Sequence, residues 1–290
     1  MKRWLSNVLL VIFGAVFVVS AYLLIDYYIE SSQQKEQFNA LANLVQQARP
    51  QQPATQPQKA ESTQQTVDPN WDGPIIAPTD DSIHEELVPI NDPDTGEQIY
   101  VLPEYADVYL MNTDLVGWMT IEGTIINYPV MHTPDRTDYY LHRDFNGNSS
   151  TAGCLYVREA CDVNKPTDNI TIYGHKKNDG TMFAALHNYK KESFWEEHRH
   201  ITFDTLTEHH TYEVMAVFLA SASVGEDFDY HLFVDAQTEE QFNDFVSSCT
   251  ELSLYETGVE AKYGDKLITL VTCDFGLTNG RLVVVAKRVS

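Results

Sequence analysis

The chain has 290 residues, enough for one sizeable domain with appended segments. Its formal net charge is −23, and such a field repels nucleic acids and other polyanions, so nucleic acid is excluded as a partner. The sequence has neither a Cys-x-x-Cys pair nor the acidic spacing of a calcium loop, and we therefore predict no metal site and no cofactor.

An apolar run from Val8 to Ile25 dominates the N-terminus. As a helix rising about 1.5 Å per residue, it nearly spans a hydrocarbon core of about 30 Å. Lys2 and Arg3 precede it, and the positive-inside bias puts the N-terminus in the cytoplasm and the rest outside the cell. We predict a cytoplasmic stub and single-pass transmembrane signal anchor at residues 1–30. A cleaved signal peptide, cut near Val19-Ser20-Ala21, is the alternative.

Residues 31–82 are predicted to form a stalk and a tether. Ser31 to Arg49 is compatible with a helix that continues the membrane segment. Its apolar residues at helical spacing are Phe38, Leu41, Leu44 and Val45. Pro50 to Asn70 is rich in Gln, Pro and Thr and almost free of large apolar residues, which predicts disorder. The folded domain is then expected at residues 83–290.

Within that domain the pattern predicts mostly strands with a few helices. Thr238 to Gln241 is a capping box, and the apolar residues behind it predict a helix. Two helical turns are expected at Thr181–Tyr189 and Ser193–His198. The other expected elements are a helix at Pro103–Asn112, a hairpin of Trp118–Ile121 with Thr124–Met131, and strands at Gly153–Arg158, Asn169–Tyr173, His200–Asp204 and His210–Ser221.

The most informative segment lies near the C-terminus. An apolar strand from Leu267 ends in Cys273, and a second strand begins at Arg281 after a polar loop that contains Asn279-Gly280. If the second strand folds back beside the first, the thiol of Cys273 and the guanidinium of Arg281 lie side by side. A nearby cation favours the nucleophilic thiolate, and a guanidinium can stabilise an oxyanion. The pair therefore indicates covalent catalysis.

A candidate base lies at the end of another short strand. His175 follows Asn169–Tyr173 and Gly174, so it is expected at the rim of the sheet. An imidazole with a reference pKa of about 6.5 suits proton transfer near neutral pH. The chain has ten histidines, and a surface or core role is the alternative for any one of them.

The four cysteines leave one pairing question open. Cys154 and Cys161 flank a short segment and could form a disulfide, whereas a nucleophilic Cys273 must stay free. Cys249 lies among the apolar positions of the helix expected after Thr238, so we interpret it as a buried small hydrophobic residue.

Several blocks of the chain resemble sortases, the cysteine transpeptidases of Gram-positive cell surfaces. Thr269-Leu270-Val271-Thr272-Cys273 resembles the T-L-x-T-C signature of the family, and Tyr173-Gly174-His175 with Asp179–Phe183 resembles the histidine block of its class B branch. Asn112–Trp118 and Tyr128-Pro129-Val130 are similar to the first helix and strands of that branch. The resemblance extends from about residue 98 to the end.

The resemblance implies a mostly β (α+β) fold. This would be a closed mixed β-barrel with peripheral helices, including an N-terminal helix and a helix in the connection before the nucleophile strand. It also implies that Cys273 is the nucleophile, His175 the general acid/base and Arg281 the stabiliser of the substrate carbonyl oxygen. Class B enzymes usually carry Ser where this chain has Val271, so a side-chain hydrogen bond to the substrate is not expected there.

Four further residues are candidates to support the catalytic residues or to contact the substrate. Asp274 directly follows the nucleophile and could orient His175 or Arg281; a solvated loop carboxylate is the alternative. The remaining candidates are Val271, Thr272 and Leu141.

The activity implied by the resemblance is a two-step acyl transfer. The enzyme would cleave a C-terminal sorting motif of a secreted surface protein or pilin and pass the acyl group to an amine of peptidoglycan or a pilin lysine. A membrane-tethered cysteine peptidase that releases to water, or a catalytically inactive surface-display module, are the alternatives. The sorting motif, the acceptor and the choice between wall anchoring and pilus assembly stay open.

Overall fold

The fold begins with one long helix and continues into a β-rich domain. A computed structural model describes residues 2–49, 87–223, 228–276 and 278–290. The helices are α1 (Lys2–Ala48), α2 (Pro103–Met111), α3 (Glu192–Glu197) and α4 (Glu239–Leu252), with 3₁₀ helices at Tyr139–His142, Phe183–Lys190 and Tyr230–Leu232. The strands are β1 (Val88–Asn91), β2 (Gln98–Val101), β3 (Leu115–Thr120), β4 (Asn127–Met131), β5 (Leu155–Val157), β6 (Asn169–Tyr173), β7 (His200–Thr205), β8 (Thr211–Ser221), β9 (Leu267–Cys273) and β10 (Gly280–Arg288).

Strands β3 to β10 form the body of the domain. In the described part of the chain they close into a barrel in the order β10-β8-β7-β3-β4-β5-β6-β9. The β4–β5 and β6–β9 pairs are parallel and the other neighbours are antiparallel. The closed mixed β-barrel with peripheral helices, expected from the resemblance, is confirmed.

Strands β9 and β10 are buried on both faces. Leu270 and Val284 belong to the cluster inside the barrel, whereas Val271 and Val283 belong to a second cluster, which also contains Phe242 of α4. Because successive strand residues point to opposite faces, a strand covered on both sides is apolar throughout. This explains the unbroken apolar runs in the sequence, and it makes α4 the cover of the outer face.

Helix α4 begins as its capping box predicts. Thr238 Oγ1 accepts a hydrogen bond from Gln241 N at 3.3 Å, and Gln241 Oε1 accepts one from Gln237 N at 2.8 Å. The Thr238 bond satisfies a backbone donor that the first turn of a helix leaves unpaired, whereas the Gln241 side chain bonds the N–H of Gln237, one residue before the N-cap. Phe242 and Cys249 are buried beneath the helix, so the predicted helix and the buried thiol are confirmed.

Helix α1 continues beyond its apolar segment and packs on the barrel. It is the one helix among the described residues that is long and apolar enough to cross a membrane. Farther along it, Phe38, Leu41 and Val45 are each less than 5% exposed, and the Phe38 ring lies 5.1 Å from that of Tyr128. Leu44 is 38% exposed and lies off this face. The predicted stalk helix is therefore docked on the domain, and the tether predicted at residues 50–70 lies outside the described residues.

The cysteines are free thiols. Cys154, Cys161 and Cys249 are buried, whereas Cys273 is partly exposed. Cys161 Sγ lies 3.5 Å from Asn169 O and 3.5 Å from Thr171 N, so it is bonded to backbone rather than to Cys154. Cys154 and Cys161, which could have formed a disulfide, are therefore two free thiols.

Candidate active site

Cys273 and Arg281 lie directly opposite each other on β9 and β10. Asp274 N donates to Gly280 O at 2.8 Å across the strands, which makes Cys273 and Arg281 a pair whose own backbone groups do not bond each other. Side chains approach more closely at such positions than at hydrogen-bonded pairs, with Cα atoms about 4.5 Å apart. The register therefore places the side chains of Cys273 and Arg281 on the same face of neighbouring strands.

The guanidinium of Arg281 is held by its own loop. Arg281 Nη1 donates to Gly280 O at 3.0 Å and to Asn279 O at 3.3 Å. Asn279 has a φ of 51°, a left-handed conformation that Asn tolerates better than most residues. The loop thus fixes one nitrogen of the group and leaves the donors on Nη2 and Nε for other partners.

His175 lies at the same end of the barrel as Cys273. Strands β6 and β9 are parallel, with Tyr173 opposite Val271, and Gly174 N donates to Val271 O at 3.1 Å. His175 follows Tyr173 by two residues and Cys273 follows Val271 by two, so both lie just beyond the last paired residues of neighbouring strands. The structure therefore brings Cys273, His175 and Arg281 to one end of adjacent strands.

The imidazole of His175 is fixed by a backbone carbonyl. His175 Nε2 lies 2.8 Å from Leu141 O. A carbonyl can only accept, so Nε2 carries the proton and the lone pair of the neutral ring is on Nδ1. Burial, followed by the charges of His142 and Lys177, lowers the pKa of His175 below its usual 6.5 despite this bond. At neutral pH the ring is therefore neutral, and Nδ1 can accept a proton.

The partners of Asp274 differ from those suggested by the sequence. Its carboxylate accepts hydrogen bonds from Lys190 Nζ and, at 2.8 Å, from Gly276 N, and it lies 3.6 Å from His187 Nδ1. Burial would raise the pKa of Asp274, but the bonds to Lys190 and Gly276 outweigh it and lower that pKa. The expectation that this carboxylate is solvated or orients His175 or Arg281 is corrected: it is 4% exposed and bonds the 3₁₀ helix Phe183–Lys190.

The two residues before the nucleophile are buried. Val271 is 1% exposed and packs in the cluster beneath α4. Thr272 is 2% exposed, and alternation along β9 places it on the inner side with Leu270. Among the described residues its Oγ1 has no hydrogen-bond partner. Both side chains are thus placed to support Cys273 rather than to lie open beside it.

Tyr230 is a neighbour of the site that the sequence did not indicate. It lies in the 3₁₀ helix between β8 and α4 and is 2% exposed. Its pKa is raised, first by burial and also by the charges of Tyr173 and Cys273, while Arg281 opposes the rise. The phenol is therefore neutral, and its ring packs in the cluster that also contains Val271 and Val283, next to the site residues on β9 and β10. The two aromatic residues Phe228 and Tyr230, close together in the sequence, are the signal that could have indicated it.

The described residues contain no group of three or more His, Cys, Asp or Glu side chains suited to a metal ion.

Comparisons with known proteins agree with this architecture. The Sortase domain family model matches residues 119–289. The chain is 32% identical over 193 residues to sortase B of Listeria monocytogenes, covering 66% of this chain and 76% of that protein. It is 29% identical over 192 residues to sortase B of Staphylococcus aureus, with the same two coverages of 66% and 76%.

Solved structures show the same likeness. A Staphylococcus aureus sortase B–substrate complex matches with a TM-score of 0.60 and 28% identity, covering 66% of this chain and 86% of that one. Clostridium perfringens sortase B matches with a TM-score of 0.59 and 29% identity, covering 63% of this chain and 98% of that one. The family match spans more than half of the chain, and the barrel is shared. The chain therefore belongs to the sortase family of cysteine transpeptidases, in its class B branch.

Proposed function

We propose that this protein is a membrane-anchored extracellular transpeptidase with Cys273 as nucleophile, His175 as general acid/base and Arg281 as oxyanion stabiliser. Its substrates are secreted surface proteins or pilins with a C-terminal sorting motif. The observation that carries the proposal is the direct pairing of Cys273 with Arg281, with His175 beyond the end of the neighbouring parallel strand.

The chemistry follows from these positions. The Cys273 thiolate attacks the carbonyl carbon of the scissile peptide bond, and the developing oxyanion is held by the guanidinium N–H groups of Arg281 that the loop leaves free. Nδ1 of neutral His175 takes the proton of the Cys273 thiol, which forms this thiolate, and then gives the same proton to the departing amine as the C–N bond breaks. A thioester remains on Cys273. An incoming amine then attacks it, passes its proton to Nδ1 and expels the thiolate, so the acyl group is conserved without ATP.

The N-terminal helix supports the proposed location. Large apolar side chains in the N-terminal part of α1, such as Ile12, Phe17 and Ile29, are exposed, whereas Phe38 and Leu41 are packed on the barrel. One continuous helix thus joins a candidate membrane span to the catalytic domain. With Lys2 and Arg3 ahead of the apolar run, the positive-inside bias puts the N-terminus in the cytoplasm and the barrel outside the cell.

The acceptor is an amine of peptidoglycan or a pilin lysine. The chain carries a net charge of −23, which raises the local concentration of cationic amines over that of anions. This field acts on either acceptor, so the acceptor is to be identified by experiment.

The test is mass spectrometry of the purified full chain, in detergent, with a mixed library of candidate sorting peptides, with and without an added amine. We expect an acyl-enzyme at Cys273 and a product joined to the amine. Cys273→Ala should abolish the acyl-enzyme, His175→Ala should nearly do so, and Arg281→Ala should slow its formation by about 10²-fold. Full activity of Cys273→Ala would refute the nucleophile. Release only to water despite the amine would replace transfer by hydrolysis.

A further inference from the structure

The backbone carbonyl of Cys273 lies at a place where the sheet can no longer pair it. On one side of β9, Asp274 N bonds to Gly280 O of the β10 side, and on the other side β6 ends at Tyr173. The last bond from the β6 side is Gly174 N to Val271 O. A side chain supplies the hydrogen bond that a neighbouring strand would otherwise make: His187 Nε2 lies 3.0 Å from Cys273 O. Because a carbonyl only accepts, His187 donates through Nε2.

A second link joins the same two segments one residue later. Lys190 Nζ donates to the carboxylate of Asp274, which is 4% exposed, and His187 Nδ1 lies 3.6 Å from the same carboxylate oxygen. Both His187 and Lys190 belong to the 3₁₀ helix Phe183–Lys190. Residues 273 and 274 are therefore attached to this helix by a carbonyl and by a buried carboxylate.

The other end of the 3₁₀ helix is attached to the candidate base. Phe183 N, at the first residue of the helix, donates to His175 O at 2.9 Å. One short helix thus holds the backbone of His175 at its start and the backbone of Cys273 near its end. The distance between base and nucleophile is set through this helix as well as through the β6–β9 ladder.

We propose that His187 is a positioning residue, which holds Cys273 at the correct distance and orientation toward His175 by donating a hydrogen bond to the Cys273 carbonyl. The proposal rests on the proposed function of Cys273 and His175. His187 acts through the backbone of Cys273 and is given no contact with the substrate.

The surroundings of His187 favour the required neutral tautomer. Burial, together with the charges of Lys176 and Lys190, lowers its pKa, whereas the bond to Cys273 O and the charge of Asp274 act in the opposite direction. The net direction is below the usual 6.5. At neutral pH the ring therefore has a single proton, and the carbonyl places it on Nε2.

Two amide variants separate the hydrogen bond from the bulk of the side chain. In His187→Gln the terminal amide reaches about as far as Nε2, so it can donate to Cys273 O. In His187→Asn the amide ends near the position of Nδ1 and cannot. His198 supplies a matched control, because its Nδ1 also bonds a backbone carbonyl, that of Phe194 at 2.9 Å, outside the candidate site. His198→Gln is compared in parallel.

Two readouts are measured on the full chain: kcat and KM of peptide transfer, and the rate and pH dependence of Cys273 alkylation by iodoacetamide. His187→Asn is expected to lower kcat about tenfold, as for the loss of one strong hydrogen bond, with KM within about twofold. The rate of Cys273 alkylation and its dependence on pH should also differ between His187→Asn and the native protein. His187→Gln and His198→Gln should stay within about twofold of the native kcat. Circular dichroism and a thermal melt check that each variant is folded.

Comparing His187→Gln with His187→Asn separates the hydrogen bond from the bulk of the side chain even where both variants melt at lower temperature than the native protein. Equal losses in His187→Gln and His187→Asn, or native kcat and alkylation in His187→Asn, would overturn the positioning role. The alkylation readout needs no acyl transfer. If the native protein forms no acyl-enzyme, the proposed function fails, whereas a changed alkylation profile in His187→Asn alone would still support the link to Cys273.

Discussion

The Nε2 atom of His175 donates to the backbone oxygen of Leu141 at 2.8 Å, and this bond assigns proton exchange to Nδ1. The ring centroid of His142 lies 5.7 Å from that of His175, with an angle of 32° between the two ring planes. A base held by a carbonyl keeps its orientation in both protonation states, because Nε2 carries a proton in each. The Leu141 backbone, rather than a carboxylate, thus orients the candidate base.

His175 should titrate with a pKa below 6.5, since burial, which lowers the pKa, is the largest influence on it. Lys177→Met removes one of the positive charges that lower it, so the pKa should rise while burial keeps it below the usual value. An NMR titration of the imidazole C–H signals measures both. Lys191→Met, at an exposed position, is the control and should leave the signal unchanged. A native His175 pKa above 6.5 would contradict this account.

Alkylation should distinguish one thiol from the other three. Cys154, Cys161 and Cys249 are buried, and burial raises the pKa of each. The thiolate is the reactive form, so these residues should react slowly. Brief treatment of the folded protein with iodoacetamide is expected to add one adduct, at Cys273, as read by peptide mass spectrometry. Cys273→Ala should add none. Equal labelling of two cysteines in the folded protein would disagree with the burial described.

Much of the barrel could be predicted because its strands have strong local signals. Strands β6 (Asn169–Tyr173) and β9 (Leu267–Cys273) have the bounds expected from their β-branched runs. The polar loop between β9 and β10 predicted the fold-back that pairs Cys273 with Arg281. A local pattern sufficed here because the turn and its strands are contiguous. The β1–β2 hairpin was not predicted, since its strands have four residues each and half of their residues are exposed.

The contacts that orient the site could not be read from local patterns. His175 and Leu141 are 34 residues apart, and His187 and Cys273 are 86 apart, so each meeting depends on how the barrel closes. Leu141 was expected among the residues that support the site, but backbone carbonyls are identical at every position, so no residue type marks Leu141 O or Cys273 O as an acceptor. The suggestion for Asp274 was wrong in its partners for the same reason. Adjacency to the nucleophile says nothing about which helix packs beside it.

The end of α1 is attached to the barrel by a buried charge cluster. Arg49 lies 3.5 Å from Glu104 and 3.3 Å from Asp204, two carboxylates whose side chains are each 2% exposed. His209 contacts the same two carboxylates, at 3.3 and 2.8 Å. Removing one cation leaves buried negative charge undercompensated. Since Arg49 itself is 48% exposed, solvent screening reduces the loss.

Arg49→Met should therefore lower the free energy of unfolding by about 1–2 kcal/mol at pH 7. Lys35→Met, on α1 whereas Arg49 directly follows that helix, is the matched control: Lys35 is 42% exposed and 4.0 Å from Asp179, so the loss should be at most about 0.5 kcal/mol. Denaturant unfolding of the full chain in detergent measures both. A similar loss of unfolding free energy in the two variants would show that the buried cluster stabilises the fold no more than the exposed ion pair of Lys35 does.

The contribution of this cluster should depend on pH with a definite sign. Burial alone would raise the pKa of Glu104, but His209 and Arg49 outweigh it and lower that pKa below 4.5. A depressed carboxyl pKa stabilises the fold above the unfolded value and is lost as pH falls through the folded value. The difference between the native protein and Arg49→Met should thus shrink below about pH 4.5. If the stability difference between the native protein and Arg49→Met stayed constant down to pH 3, the ion pairs would not be its source.

Gly174 separates β6 from His175 at a point with no room for a side chain. A Cβ built there would lie 2.5 Å from Leu155 Cδ2 and 2.6 Å from Phe183 Cδ2, so the neighbours or the backbone must move. Phe183 N bonds His175 O, and a displacement of Phe183 is passed on to the base. Gly174→Ala should lower stability by about 1–3 kcal/mol. It should also lower kcat/KM by about tenfold or more, because misplacement of a reacting group reduces the rate steeply.

Gly180→Ala is the control that separates strain from displacement of the base. Apart from its chain neighbours, no described residue lies within 4 Å of a Cβ built at Gly180, but its φ is +84°, so alanine costs about 1–2 kcal/mol through the backbone alone. Both variants should therefore melt at lower temperature, while only Gly174→Ala loses most of its kcat/KM for thioester formation. Native kcat/KM in Gly174→Ala, or an equal loss in Gly180→Ala, would mean that the packing of Phe183 against Gly174 does not set the position of His175.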